Sequence, residues 1–200
     1  MTDEQNDLKL NQFNEFFSIK YPFNINAVRL NKSENTSYTQ FIDSMPIAFK
    51  LANDINTLDQ AALAPLGAIS GIAGKLVEYL NHQAQKIDLL VNHIVSVQDN
   101  QQHRYQGILF GGGGVEFIHD TAFKLNDVIE LKVFLAHENS AIYSHAEIIH
   151  IENSENKYHH KAIFRYIRDE DRERLVRSSL HIQSKQLQQL AKERNKLSNE

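Results

Sequence analysis

The sequence predicts a mainly β protein with long helices, in which a small antiparallel barrel or sandwich lies between two helices of heptad pattern. Polar and apolar residues alternate in five short runs that are rich in β-branched and aromatic residues, which is typical of half-buried strands. Before and after these runs, apolar residues recur at steps of three and four, which indicates amphipathic helices. The five runs are YQGILF, GVEFI, VIELKVFLA, AIYSHAEIIHI and HHKAIFRYI.

Composition and charge are those of an ordinary globular protein. The chain has 200 residues, 42% of them hydrophobic and 23% charged, with a formal net charge of −4. This charge gives no general attraction to nucleic acid or to anionic lipid, so we expect no nucleic acid polymer as a partner. Cysteine is absent, which excludes disulfides and cysteine-ligated metals and favours the cytoplasm.

No secretory signal or membrane span is expected. The first twelve residues, MTDEQNDLKLNQ, are acidic and polar, whereas a secretory signal needs a basic start and an apolar core. The most apolar window, residues 61–74, is too short to cross a bilayer.

Residues 1–60 are predicted to form an N-terminal segment with a short strand and helices. Alternating apolar and polar residues over 16–30, around Pro22, predict an extended stretch, and the polar run 31–37 predicts a loop. One or two short helices follow, with Pro46 in a first helical turn, where proline is tolerated. Whether this segment folds back onto the strands is not decided by the pattern.

Residues 61–98 are predicted to form a long heptad helix. Its apolar positions alternate between steps of four and three, which is the pattern of a helix that packs lengthwise against another helix. The same pattern also fits an amphipathic helix that lies on its own domain. Gln83 occupies one of these positions, where a polar residue commonly fixes register. The predicted interface positions are Leu66, Ile69, Ala73, Leu76, Leu80, Gln83, Ile87, Leu90 and Ile94, with Ala62 before them.

The barrel is predicted over 99–170, and a second amphipathic helix over 171–200. Acidic residues begin this helix and basic residues lie near its end, in agreement with the helix dipole. Its heptad positions are Val176, Leu180, Gln183, Leu187, Leu190 and Leu197.

Four consecutive glycines, 111–114, raise the question of phosphate binding. A nucleotide-hydrolase loop needs a lysine and a hydroxyl residue after the last glycine and then a helix. A dinucleotide-binding turn also leads into a helix. Here Gly114 leads into the predicted strand VEFI, so both interpretations fail.

Catalytic and metal-binding patterns are also missing from the sequence. The ten histidines include no HExxH spacing, and adjacent His159 and His160 would point to opposite faces of a strand, so no metal site is expected. The serines lack the context of a nucleophile elbow. No stretch combines a nucleophile, a base and an orienting group, so we expect no enzymatic activity.

The run LFGGGGVEF, the strands after it and the terminal helix DRERLVRSSLHIQSKQLQQLAKER together resemble the PilZ domain. The resemblance covers about residues 82–197. It implies a six-stranded antiparallel barrel that binds the bacterial second messenger cyclic di-GMP and regulates motility, biofilm formation or virulence.

The ligand motif of that family is degenerate in this chain. Gly114 matches the family glycine, but Leu109 and Gly111 stand where an acidic or amide residue and a serine should be. The two upstream arginines would fall at His82 and Lys86. Paired arginines can grip phosphate bidentately and stack on guanine, which histidine and lysine cannot do at once.

Two hypotheses follow from this resemblance. The first is an oligomeric adaptor, a dimer or tetramer, that acts through an unidentified protein partner without tight ligand binding and without a cofactor. The alternative is a genuine cyclic di-GMP receptor that uses non-consensus residues, with backbone amides of the glycine run as an anion nest. Its predicted ligand-binding residues are His82, Lys86, Arg104, Gly111 and Gly114.

Overall fold

A computed structural model describes residues 3–31, 37–52, 72–135, 140–154 and 157–197. Six strands form a closed antiparallel barrel with helices around it, which confirms the predicted fold class. The elements in chain order are α1 (Asp3–Glu15), β1 (Ser18–Arg29), α2 (Tyr38–Ser44), α3 (described over 47–52), α4 (Ile72–Ser96), a short 3-10 helix (Gln101–His103), β2 (Arg104–Gly111), β3 (Gly114–His119), β4 (Val128–Leu135), β5 (Ser140–Ser154), β6 (Lys157–Ile167) and α5 (Asp169–Leu197).

The order of the strands around the barrel is β1-β2-β3-β6-β5-β4. β1 pairs with β2 on one side and with β4 on the other, so the N-terminal segment supplies the strand that closes the barrel. The predicted barrel range of 99–170 therefore omits one strand. This strand is twelve residues long rather than short, and Pro22 lies within its bulge, between Lys20 and Phe23. The bulge hides part of the alternation in the sequence, because it shifts the side-chain period.

Apolar side chains from all six strands fill the barrel. Alternate residues of each strand point inward, as the two-residue period of a strand requires. Leu175 and Ile182 of α5 belong to the same buried cluster, so α5 packs onto the barrel through its first half. The buried strand residues of this core include Ile25, Phe110, Val115, Phe117, Ile129, Leu131, Val133, Ile142, Ile148 and Phe164.

Two smaller apolar clusters fix the other helices on the outside of the barrel. Phe13 of α1 packs against Ile149 and Ile163. Phe41 of α2 is stacked against Tyr143 of β5 at 5.7 Å between ring centroids, in a cluster that also contains residues of α3 and α4. The helices thus surround the barrel on different sides.

A buried ion pair at the start of α5 is also hydrogen-bonded to α3. Arg168 donates a hydrogen bond from Nε to Oδ2 of Asp171 at 2.7 Å and another from Nη2 to the carbonyl oxygen of Phe49 at 3.1 Å. Burial raises the pKa of the Asp171 carboxyl, and the hydrogen bond and charge of Arg168 oppose that rise. Arg168 thus holds the start of α5 against α3.

Candidate functional site

The long helix α4 is attached to the barrel at its C-terminal end. Val95 is buried there, and Val91 packs against the cluster formed by α2, α3 and β5. α4 contains 25 residues, which corresponds to about 36 Å. Most of its length therefore extends away from this attachment point.

The predicted heptad positions of α4 lie on a face that is exposed. We call the six described positions the seam: Leu76, Leu80, Gln83, Ile87, Leu90 and Ile94. The five apolar members are between 38% and 64% exposed, and Gln83 is half-buried. Of the other predicted interface positions, Leu66 and Ile69 lie outside the described residues, as does Ala62, and the side chain of Ala73 is not described.

α4 does not use the seam to contact its own barrel. A helix lying on its own domain would bury this face, but α4 contacts the barrel with Val91 and Val95, which lie off the seam. The exposed fractions of the five apolar seam residues amount to about two and a half fully exposed side chains. Covering them is worth about 4–8 kcal/mol per copy. Two copies together reach the range of about 4–15 kcal/mol that association costs.

The second half of α5 is also exposed. Residues 184–195 have exposed side chains throughout, including Leu187 and Leu190 of the predicted heptad. Gln183 and Val176 are half-buried, so the heptad of α5 only partly coincides with its exposed face.

The glycine run forms the turn between β2 and β3 and lies beneath other parts of the chain. A Cβ atom on Gly111 would come within 2.3 Å of the carbonyl oxygen of Phe17, and one on Gly114 within 2.1 Å of that of Ala162. None of these four glycines has a left-handed φ. Close approach of backbone, and not an unusual dihedral angle, therefore requires glycine here.

Residues of α1, α5 and the α1–β1 linker pack around this turn. Arg172 of α5 donates a hydrogen bond from Nη1 to the carbonyl oxygen of Gly112, and its guanidinium lies 5.2 Å from the ring centroid of Phe16. Phe13 contributes backbone close to Gly113 and its ring close to Gly114. The start of α5, the end of α1 and the α1–β1 linker thus fill the space beside the glycines.

The five predicted ligand-binding residues lie in three separate places. Gly111 and Gly114 are at one end of β2, and Arg104 is at the other, about 23 Å away along the strand. Arg104 already contacts Asp99, with Nε at 3.0 Å from Oδ1 and Nη2 at 2.9 Å from Oδ2. His82 and Lys86 are exposed on α4, so the structure does not bring the set together.

A polar network that the sequence analysis did not single out connects the segment after α4 to β1. The buried Asn26 donates a hydrogen bond from Nδ2 to Oδ1 of Asp99 at 2.8 Å and accepts one at Oδ1 from the backbone N–H of Asn100 at 2.7 Å. Asp99 also binds Arg104 at the start of β2. The sequence signal for this network is an asparagine between two apolar residues, Ile25 and Ala27, in a predicted extended stretch.

Among the described histidines, His145 and His160 are buried. His160 is buried and stacks on Phe117 at 4.9 Å, while His159 faces the other way, with Nδ1 3.7 Å from Oε1 of Glu116. Burial lowers the pKa of His160 to about 4, and it also lowers the pKa of His145. These two side chains are therefore uncharged near neutral pH.

Comparisons with known proteins identify the fold of this chain. No family model and no curated protein match the sequence. A tetrameric PilZ domain from Xanthomonas campestris, self-assembled through a helical bundle, is similar over 90% of this chain and 98% of its own, with 12% identity and a TM-score of 0.55.

Two further solved structures overlap with part of the chain. The inhibitor of motility MotI/DgrA of Bacillus subtilis is 18% identical over 41% of this chain and 42% of its own length, with a TM-score of 0.39. The PilZ domain of Escherichia coli YcgR with cyclic di-GMP is 13% identical over 46% of this chain and 83% of its own, with a TM-score of 0.38. The chain thus spans less than half the length of the Bacillus structure.

The chain has a PilZ-type fold. The closed six-stranded barrel and the long helices provide the architecture, and the Xanthomonas structure matches it over nine-tenths of the chain. None of the helices in the described ranges is long and apolar enough to cross a membrane.

Proposed function

We propose that this protein is a non-enzymatic bacterial regulator that self-associates through the seam of α4 and presents its PilZ-type barrel to a protein partner. It acts in the cytoplasm, in signalling related to cyclic di-GMP that controls motility, biofilm formation or virulence. The observation that carries the proposal is the exposed apolar seam on a long helix whose buried contact with the described part of the chain is made near its C-terminal end.

Self-association is favoured over another occupant because the seam is regular. Alternating steps of three and four over six positions fit an identical helix along their whole length, whereas a short docking helix would need only about four anchors. The Xanthomonas structure is described as a PilZ domain that assembles as a tetramer through a helical bundle. This likeness of fold supports self-association of the chain, as a dimer or a tetramer.

The adaptor role is favoured over a receptor role by the positions of the predicted ligand residues. The guanidinium of Arg104 is held by Asp99, and the glycine turn is covered by Phe13 and Phe16. Apolar side chains fill the interior of the described barrel, so the barrel interior is a core and not a substrate cleft.

Two adjacent leucines of α4 provide the test. Leu90 is in the seam and 64% exposed, while Leu89 is outside it and 66% exposed. Leu90→Glu puts a carboxylate into the proposed interface, where burial of an unpaired charge costs several kcal/mol. Leu89→Glu makes the same change on the outer face of the helix.

Light scattering at about 20 µM, a concentration well above a micromolar dissociation constant, measures the mass of each protein. We expect two or four times the 23.0 kDa chain mass for the wild type and for Leu89→Glu, and 23.0 kDa for Leu90→Glu. A monomeric wild type would contradict the proposed self-association. Equal masses for the two variants would show that the seam is not the interface.

A further inference from the structure

We propose that the α4 helices associate in parallel and in register, and that Gln83 is the residue that selects this orientation. This inference rests on the proposed self-association through the seam. It adds how the copies are arranged, and it follows from the one polar residue of the seam and from the charges beside it.

The steps along the seam assign its heptad positions. In a heptad, the step from position a to position d is three residues and the step from d to the next a is four. Leu80, Ile87 and Ile94 are therefore a positions. Leu76, Gln83 and Leu90 are d positions.

A parallel, in-register arrangement places Gln83 against Gln83 of the next copy. An amide side chain carries both an acceptor oxygen and N–H donors, so two such groups can hydrogen-bond to each other. Every other described layer of the seam then pairs Leu with Leu or Ile with Ile. The two Gln83 side chains can therefore hydrogen-bond to each other only when the helices are parallel and in register.

An antiparallel arrangement leaves Gln83 without this partner. When two helices run in opposite directions, each d residue meets an a residue of the other copy. Gln83 would then face an aliphatic side chain such as Ile87. A buried amide without a hydrogen-bond partner is penalised, whereas in the parallel arrangement the amides satisfy one another.

Charge beside the seam disfavours the most extensive antiparallel register. This register pairs Leu76 with Ile94 and Gln83 with Ile87, and it thereby uses all the described seam positions. It also places Lys86, the g position before Ile87, beside Lys86 of the second copy. In the parallel arrangement Lys86 lies instead toward Val91 at an e position, so the like charges do not face each other.

The parallel arrangement has a consequence for how the barrels are displayed. Each barrel is fixed to the C-terminal end of its α4 through Val95 and the residues around it. Parallel helices therefore gather all the barrels at one end of the bundle. A partner with several binding sites would meet several copies of the same surface, which raises the overall affinity without any new contact.

Distances between spin labels test the orientation, because the chain has no cysteine of its own. Lys75→Cys, His82→Cys and Leu89→Cys introduce single labelling sites that are all exposed and all at heptad position c. Pulsed dipolar spectroscopy on each full-length variant measures the separation between copies. Light scattering on the same samples measures the mass.

We expect the three variants to be oligomeric and to give the same label-to-label distance. In any antiparallel register, the axial separation changes by about 21 Å from one of these sites to the next, because the helix rises 1.5 Å per residue, so three equal distances cannot occur. Unequal distances in an oligomer would overturn the parallel arrangement and leave the proposed self-association intact. Monomeric samples would instead contradict the self-association itself.

Gln83→Leu tests the role assigned to Gln83. We expect this variant to remain oligomeric and to melt at a higher temperature, since a polar residue in the seam costs stability. Its distance distributions should become broader or acquire a second maximum, because leucine does not discriminate between orientations. Three narrow and unchanged distances would show that another feature selects the orientation.

Discussion

His160 is a titratable side chain inside an apolar environment. It is buried against Phe117, and its Nε2 accepts a hydrogen bond from the backbone N–H of Phe123 at 3.1 Å. Desolvation lowers its pKa to about 4, and the nearby His119 and His159 act in the same direction. The folded protein thus binds a proton here less readily than the unfolded chain does, whose histidines have a pKa near 6.5.

This difference predicts how stability depends on pH. Because the pKa in the folded state is the lower one, the stability from uncharged His160 is complete above about pH 6.5. It is lost as the pH falls toward about 4. Between pH 7.5 and pH 5.0 we expect the free energy of unfolding to fall by about 2 kcal/mol through this residue. Urea unfolding at a fixed protein concentration measures it.

His160→Phe removes the titrating group and keeps an aromatic ring in the same place. Its loss of stability between the two pH values should be about 2 kcal/mol smaller than that of the wild type. His103→Gln, at an exposed position, should leave the wild-type loss unchanged. If His160→Phe lost as much as the wild type, another buried group, such as His145, would have to carry the effect.

At the scale of elements, the turn between β2 and β3 shows why four glycines occur in succession. The backbone of the α1–β1 linker crosses this turn, and the carbonyl oxygen of Gly113 accepts a hydrogen bond from the N–H of Phe164 in β6 at 3.0 Å. Three segments that are far apart in the chain therefore meet at one crowded place. Side chains on the turn would hold them apart.

Gly114→Ala should destabilise the protein strongly. The new Cβ atom would lie 2.1 Å from the carbonyl oxygen of Ala162, which is backbone within a barrel strand. We expect a loss of about 3 kcal/mol or more in the free energy of unfolding, measured by urea denaturation.

Gly107→Ala provides the comparison for this prediction. Its Cβ atom would meet the ring of Phe23 at 2.3 Å, and a ring can shift where a strand backbone cannot, so we expect a smaller loss of about 1–2 kcal/mol. Equal losses, or a Gly114→Ala variant as stable as the wild type, would contradict this explanation of the glycine run.

Local pattern was sufficient to predict most elements. The five strands from β2 to β6 each alternate apolar and polar residues, and each was recognised for that reason. The seam of α4 was recognised from its steps of three and four. Its exposure could not be predicted, because the same spacing fits a helix that packs on its own barrel. The crowding around Gly111 and Gly114 was equally inaccessible, since Phe17 and Ala162 are brought there by the fold.

At the scale of the whole molecule, barrel closure depends on contacts between distant parts of the sequence. β1 pairs Phe23 with Gly107 and Asn24 with Phe134, which are separated from it by two or more helices. Nothing local in residues 16–30 indicates these partners, so the sequence predicted the strand but not its place in the barrel. The resemblance to the PilZ domain implied six strands without showing that β1 is the sixth.

A chain of residues 31–200 should therefore fail to form the barrel. It lacks β1, so β2 and β4 each lose a neighbouring strand, and the core loses Ile25 and the other inward side chains of that strand. The edges of β2 and β4 would then have unpaired backbone groups, and the apolar core would be open to water, so the folded state would lose stability. We expect narrow amide dispersion in its NMR spectrum. A chain of residues 1–183, which lacks the part of α5 that is exposed over 184–195, should keep the dispersed spectrum of a folded barrel. A dispersed, native-like spectrum for residues 31–200 would show that five strands suffice and that β1 is an addition to the domain.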